Sequence, residues 1–526
     1  MASFDHIIVG GGINSLVAAA MLGKKGRKVL LVERNDRVGG CLRTEEITAP
    51  GFLHDVMATT LVLFLTSPAY GAIGEELRAR GFAVANAELP TGVLRPDGSH
   101  VLFAMDRKRN VATFEALAAG DGATFAKEMD QMGADAPFLF SLLGGQLWSR
   151  QMAMTVAREA WKRGPRALAA WFGEALRPSR HYLESTYQSE SVHALWAPWG
   201  LHCGLNPESA YSAQMIKVIA FAVELAGCPI AVGGAKTLLA AFERLIADQG
   251  GRIQCGADVE RIEMGRDGRA RAVRLASGDR IAATDGIICS MTPAQLYGRL
   301  LRDHPTAAEA KQSVKQFRHG KGDMQIHYAL DAPPKWKGGA ELGKVALLHV
   351  TPGLDGVSRA ANECERGLLP AEPTICLGQP TALDPSRAPE GKAILWVQLP
   401  EAPRRIKGDA KGEIATPADG HWTEEIREAF ADRVEAMFSH HIEDFRSHVI
   451  ARKAYSPADL EAMNVNLVGG DPYGGSCEID QFFLWRPFPG SVNHKTSIPG
   501  LYLIGASTHP GPGLGGGSGF LLANSL

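Results

Sequence analysis

The segment Gly10-Gly11-Gly12-Ile13-Asn14-Ser15, directly after the apolar run Ile7-Ile8-Val9, constrains this chain more than any other feature. Gly10 permits a tight strand-to-helix turn, and Gly12 lets backbone approach a pyrophosphate at the positive end of the following helix, Leu16 to Leu22. Ser15 stands at the third glycine position of the fingerprint, where a residue this small still allows close helix–strand packing. Lys28 to Val32 then reads as a second strand ending at Glu33, twenty-one residues beyond Gly12, where a carboxylate can accept from ribose hydroxyls. Strand, glycines, helix, strand and acid in this order predict a dinucleotide-binding unit.

A second glycine pair follows Glu33-Arg34 in Val38-Gly39-Gly40-Cys41-Leu42-Arg43-Thr44. It offers another backbone approach to the same cofactor, and Arg43 can neutralise phosphate charge. Nicotinamide-only dehydrogenases do not need this element, so it directs the expectation to FAD. A formal net charge of −2 gives no broad attraction for nucleic acid. Eight scattered cysteines lack the paired spacings of a zinc site or a redox dithiol, so no metal is expected and the thiols read as reduced. The early strand leaves no room for a signal peptide, and the apolar stretch Val56–Leu65 is too short to span a bilayer. A cytoplasmic location is therefore expected, compatible with peripheral membrane contact.

Short β-like runs ending near small residues recur at Gly286–Ser290 and Leu501–Gly505. Between the first two units, Arg107–Ala226 has helical spacing, for example Phe125, Met129 and Met132. Asp323–Pro400 carries β-like runs, Met324–Leu330, Val345–Val350 and Ala393–Leu399, that predict a second sheet. The fold class is α/β: an FAD-binding Rossmann-type domain over 1–85, 229–295 and 495–526, with a discontinuous α+β substrate-binding domain over 86–228 and 296–494 that includes a mainly helical insert.

Taken together, Gly10 to Ser15, Glu33 and Gly39-Gly40 resemble the flavin amine oxidase and carotenoid desaturase superfamily. The far end agrees, because Gly500 to Gly513, with Gly505, Ala506, Thr508, Pro510 and Gly511, looks like the carboxy-terminal FAD signature of bacterial phytoene desaturases. Asn466 to Asp471, Asp480-Gln481 through Arg486-Pro487, and Leu383-Asp384-Pro385-Ser386 make the match closer to a phytoene dehydrogenase-like branch. Ser15, Ser507 and Pro512 depart from the pattern. Val232-Gly233-Gly234 opens a helix that leads to Val259, whose backbone meets the adenine in relatives.

The resemblance implies FAD as cofactor and hydride removal from a lipophilic or aromatic small molecule, with oxygen, a quinone or another group as acceptor. Phe138, Phe140, Trp148, Trp161, Trp171, Phe172, Trp196 and Trp199 are expected to supply aromatic surface to the substrate cavity. Candidate polar groups near the flavin are His54, His202 and His509, each also readable as a structural hydrogen-bonding residue, while Cys41 is most simply a buried, inert thiol. Two other readings stay open: a redox-neutral flavin isomerase, and a non-enzymatic binding protein of the GDP-dissociation-inhibitor type. An amine oxidase is a further enzymatic alternative.

Overall fold

A computed structural model describes residues 4–526. Two large sheets organise it. The first places the parallel strands Leu501–Ile504, Arg280–Ser290, Phe4–Val9, Val29–Val32 and Arg252–Gln254 side by side, and an antiparallel ribbon, Val259–Met264 with Ala270–Leu275, extends it from the lower half of Arg280–Ser290. These strands are apolar at consecutive positions because both faces are covered. Ile8, Leu31, Ile288 and Ile504 pack on the helix side, with Leu16, Phe242 and Leu522. Ile7, Leu30, Ile287 and Leu503 point the other way, toward Leu296, Leu300 and the ribbon residue Val273.

The second sheet runs in the order Val449–Tyr455, Gly322–Leu330, Ala393–Ala402, Ile375–Gly378, Val345–Val350, Leu89–Leu94, His100–Phe103. Alternation divides its faces. Met324, Ile326, Tyr328, Leu395, Val397 and Leu377 pack on the helix Glu424–Ser439 through Phe430, Val434 and Phe438. The opposite face carries a polar row set by register: Gln325 lies opposite Gln398, Gln398 opposite Cys376, and Cys376 opposite His349. Above that face lies the predicted helical region, seven helices between Arg107 and Ala226. No helix among the described residues is long and apolar enough to cross a membrane.

The two sheets are tied together by the segment His54–Thr59. His327 Nε2 contacts the Val56 carbonyl at 3.2 Å, and Trp396 Nε1 donates to the Met57 carbonyl at 2.9 Å. Each of these side chains stands on the polar face of the second sheet, opposite one another across paired strands.

Candidate cofactor and substrate site

The strands Phe4–Val9, Arg280–Ser290 and Leu501–Ile504 are parallel neighbours, so their carboxy-terminal ends open on one edge, where a ligand crevice is expected in such sheets. Gly10 holds φ +95° there, and a Cβ on it would lie 2.9 Å from the Ser290 carbonyl oxygen. Gly12 begins the helix Ile13–Lys24 with no side chain capping it, and no atom lies within 4 Å of where its Cβ would stand. Uncapped amide groups beside open space at a helix start suit an anion. The second glycine turn closes on the first: Gly39 donates to the Gly11 carbonyl at 2.8 Å, and a Cβ on Gly40 would come 3.2 Å from the Gly12 Cα.

The carboxy-terminal segment reaches the same place. Gly505 donates to Ser518 Oγ at 2.8 Å, and Ser518 Oγ in turn donates to Asn14 Oδ1 at 2.8 Å. Gly519 packs so tightly on the first helix that a Cβ would stand 1.9 Å from the Asn14 carbonyl. Thr508 Oγ1 donates to the Gly505 carbonyl at 3.0 Å, Gly511 donates to the Thr508 carbonyl at 2.7 Å, and Pro510 packs against Gly517. The Ala506 carbonyl accepts from buried Arg486 at 2.9 Å. Thus the two ends of the chain, separated by some five hundred residues, form one edge.

The remaining predicted contacts divide. Glu33 is buried at the end of its strand, but its carboxylate accepts from the Gly11 amide at 2.6 Å and the Asn35 amide at 2.9 Å, so it shapes the glycine turn directly. Burial raises its pKa above the ordinary carboxylate value against those stabilising amides. Val259 lies close by, since the Ala257 amide donates to the Glu33 carbonyl. Ser15 is fully buried with its hydroxyl unpartnered, in keeping with its role as a small packing residue. Arg34 is exposed. Arg43 is paired with Glu45 and turned along its own strand, an engagement that spacing alone does not reveal.

All three histidine candidates are held neutral by burial. His54 is fully enclosed, bonded to Thr48 Oγ1 at 2.7 Å, with its pKa pushed down to about 2 by desolvation and then by His327 and Arg387. His509, pushed down to about 3, donates through Nε2 to the Gly145 carbonyl at 3.0 Å and so anchors the carboxy-terminal loop to the helical region. His202, pushed down to about 4, meets His349 with 2.8 Å between their Nε2 atoms. These partners make His54 and His509 positioning groups.

A group absent from the sequence expectations stands on the second sheet. Asp323 is buried on the second sheet, where Gln325 Nε2 donates to its Oδ2 at 2.7 Å and its Oδ1 has no partner among the described residues. Burial pushes its pKa up to about 7. Gln398 and Cys41 each keep some accessible surface. The polar alternation of Asp323, Gln325 and His327 within an otherwise apolar strand is the signal that would have found this face.

The aromatic inventory behaves differently from expectation. Trp196 and Trp199 are buried and face the second sheet, whereas Trp161 is 92% exposed and Trp148 52% exposed. The helix Arg150–Arg163 buries only Met152, which leaves Trp161 on its outer face. Phe138 and Trp171 pack on one another, ring centroids 5.2 Å apart, with half-exposed Phe172 beside them.

Comparison with known proteins agrees with this geometry. The NAD(P)-binding Rossmann-like domain family matches residues 8–73. The chain is similar to mouse pyridine nucleotide-disulfide oxidoreductase domain-containing protein 2, 24% identical over 98% of this chain and 92% of that protein. It is also similar to the zeta-carotene-forming phytoene desaturase of Myxococcus xanthus, 27% identical over 97% of this chain and 90% of that enzyme. Among solved structures, wild-type putrescine oxidase bound to putrescine shares the fold, with a TM-score of 0.59, 14% identity and coverage of 100% and 99% of the two chains.

Proposed function

We propose that this chain, a phytoene desaturase-like oxidoreductase, binds FAD along the edge formed by Gly10–Gly12, Gly39-Gly40 and Gly505–Gly511 and oxidises a lipophilic or aromatic small molecule. The observation that carries this reading is the meeting of the two chain ends around the uncapped helix start at Gly12. Bound there, FAD would supply a two-electron acceptor able to take hydride from a C–H bond held against it.

The chain's own residues do the rest. Gly12, Gly39 and Gly40 give the pyrophosphate backbone access, and Glu33 keeps the turn in shape while presenting its remaining lone pairs to the ribose. Arg34 and Val259 border the adenosine end. Gly505, Ala506, Thr508, Pro510 and Gly511 enclose the ring end, held by Arg486 and His509. A division into a cofactor domain over 1–85, 229–295 and 495–526 and a substrate domain over the remainder is supported by which strands form each sheet, while Leu296 and Leu300 pack on the first sheet. Substrate lies between the polar face of the second sheet and the helices above it, where His54, too weakly basic to take up a proton near neutral pH, fixes the 54–59 segment. Burial raises the Asp323 pKa to about 7, which favours its protonated carboxyl below that pH. Oxygen, a quinone or another acceptor then regenerates the enzyme, and the expected location is the cytoplasm.

The test is Gly12→Ala. A methyl group meets nothing in the protein at this position, and φ −71° with ψ 173° suits alanine, so folding should be unchanged. The methyl would occupy space needed by the pyrophosphate. We expect purified wild-type protein to be yellow with FAD, and the variant to bind FAD at least about tenfold more weakly, about 1.4 kcal/mol, with an unaltered unfolding curve. A colourless wild-type protein that FAD cannot reconstitute overturns the proposal. Anaerobic addition of a turned-over substrate should bleach the flavin; turnover without bleaching would instead indicate redox-neutral isomerisation.

A further inference from the structure

We infer that His202, His349 and Cys376 form a binding site for a thiophilic divalent cation, with zinc(II) the ion they fit best. The three residues come from distant parts of the chain: His202 follows the helix Glu190–Leu201, while His349 and Cys376 are directly paired across adjacent strands of the second sheet. One ligand atom from each lies within 4.8 Å of the other two, and the two Nε2 atoms are 2.8 Å apart. Tetrahedral zinc, with Zn–N of about 2.0–2.1 Å and Zn–S of about 2.3 Å, needs ligand atoms roughly 3.3–3.6 Å apart. To reach that spacing the 2.8 Å pair must open slightly and any pair near the 4.8 Å limit must close by about an ångström.

A shared proton between the two imidazoles accounts for the 2.8 Å contact alone. It leaves Cys376, a buried free thiol directly paired with His349 across the strands, without a role. A cation uses all three ligand atoms at once. Two neutral imidazoles and one thiolate suit a borderline-soft ion better than magnesium or calcium, which prefer oxygen. Cys376 would bind after releasing its thiol proton to solvent, with no change of oxidation state. Trp199 walls the site, its ring centroid 4.8 Å from that of His202 and 5.1 Å from that of His349. Gln398, directly opposite Cys376 on the next strand, and His202 both keep some accessible surface. Three protein ligands with one open position is the arrangement of zinc sites that also bind water or a ligand heteroatom.

The experiment uses the intact purified flavoprotein, dialysed against chelator and titrated with cobalt(II) as a spectroscopic probe, then with zinc(II) against a chromophoric chelator. We expect one cobalt per chain, visible d–d bands of four-coordinate intensity and a sulfur-to-cobalt charge-transfer band. In Cys376→Ser the charge-transfer band should vanish, and zinc should bind at least about 100-fold more weakly in it and in His202→Gln. His202 retains accessible surface, so its variant guards against loss of folding in the more buried one. His440→Asn, altering an adjacent histidine pair elsewhere, should leave the titration unchanged. Absence of the charge-transfer band from wild-type protein, or its persistence in Cys376→Ser, overturns the inference; retention of full zinc affinity in His202→Gln does so as well.

Discussion

Replacing Arg387 with methionine is expected to lower the unfolding free energy by about 3–5 kcal/mol and to reduce the flavin content of the purified protein. Arg387 has no exposed surface, yet its guanidinium meets Asp55 Oδ2 at 2.9 Å and Asp384 Oδ2 at 3.0 Å. It also donates to the Ala231 carbonyl at 2.9 Å. Asp55 in turn accepts from Thr44 Oγ1, Thr59 Oγ1 and the Ala235 amide, and Asp384 accepts from the Gly233 amide. One buried cation therefore fixes the segment that crosses to the second sheet, the start of the helix Ala235–Asp248 and the loop after Leu383.

Methionine fills much of the arginine's volume but leaves two buried carboxylates without their counter-ion, and that loss dominates the expected cost. The control is Arg387→Met combined with Asp55→Asn and Asp384→Asn. Removing all three charges should recover a large part of the stability lost by the single variant. Urea unfolding followed by far-ultraviolet circular dichroism measures both. A single variant within about 1 kcal/mol of wild type would show that the pairs are solvated in solution and that the hub has no structural role.

That hub also shows where sequence reading stops. The turn at Gly10–Gly12, the strand to Glu33 and the second turn at Gly39-Gly40 were legible because their chemistry is local: glycine conformation, helix start and strand end lie within a few dozen residues. The second sheet was legible from apolar runs such as Val345–Val350. Arg387 and Asp55 were not legible as partners, because they are 332 residues apart and neither sits in a pattern that demands the other. The same holds for Cys376 opposite His349, whose pairing depends on register, and for Arg43, whose partner Glu45 competes with any phosphate. Asp323 belongs to a third kind: its alternation with Gln325 and His327 was visible in the sequence, but whether such a face looks on solvent or on a buried cleft is decided only by what covers it.

Burial of that face has a measurable consequence in the pH dependence of stability. Asp323, with its pKa raised to about 7, and Glu401, raised to about 8, owe those values first to desolvation. Hydrogen bonds from Gln325 to Asp323, and from the Thr374 amide and hydroxyl to Glu401, offset only part of it. Nearby Lys321 acts in the same direction on Glu401 without cancelling the penalty. Between the ordinary carboxylate range and pH 8 the folded chain thus binds more protons at these two positions than the unfolded chain. Their contribution must fall as pH rises through 7 to 8, the reverse of a salt-bridged carboxylate. A tenfold gain in proton affinity on folding is worth about 1.4 kcal/mol, so even half of the combined gain at the two carboxyls amounts to about 4 kcal/mol. The double variant Asp323→Asn/Glu401→Gln cannot ionise at either position. We expect its stability relative to wild type to be greater at pH 9 than at pH 5 by about that amount, read from urea midpoints across the range. Parallel stability curves for the two proteins would mean that these carboxylates titrate normally, and would remove the case for Asp323 as a proton-holding group at neutral pH.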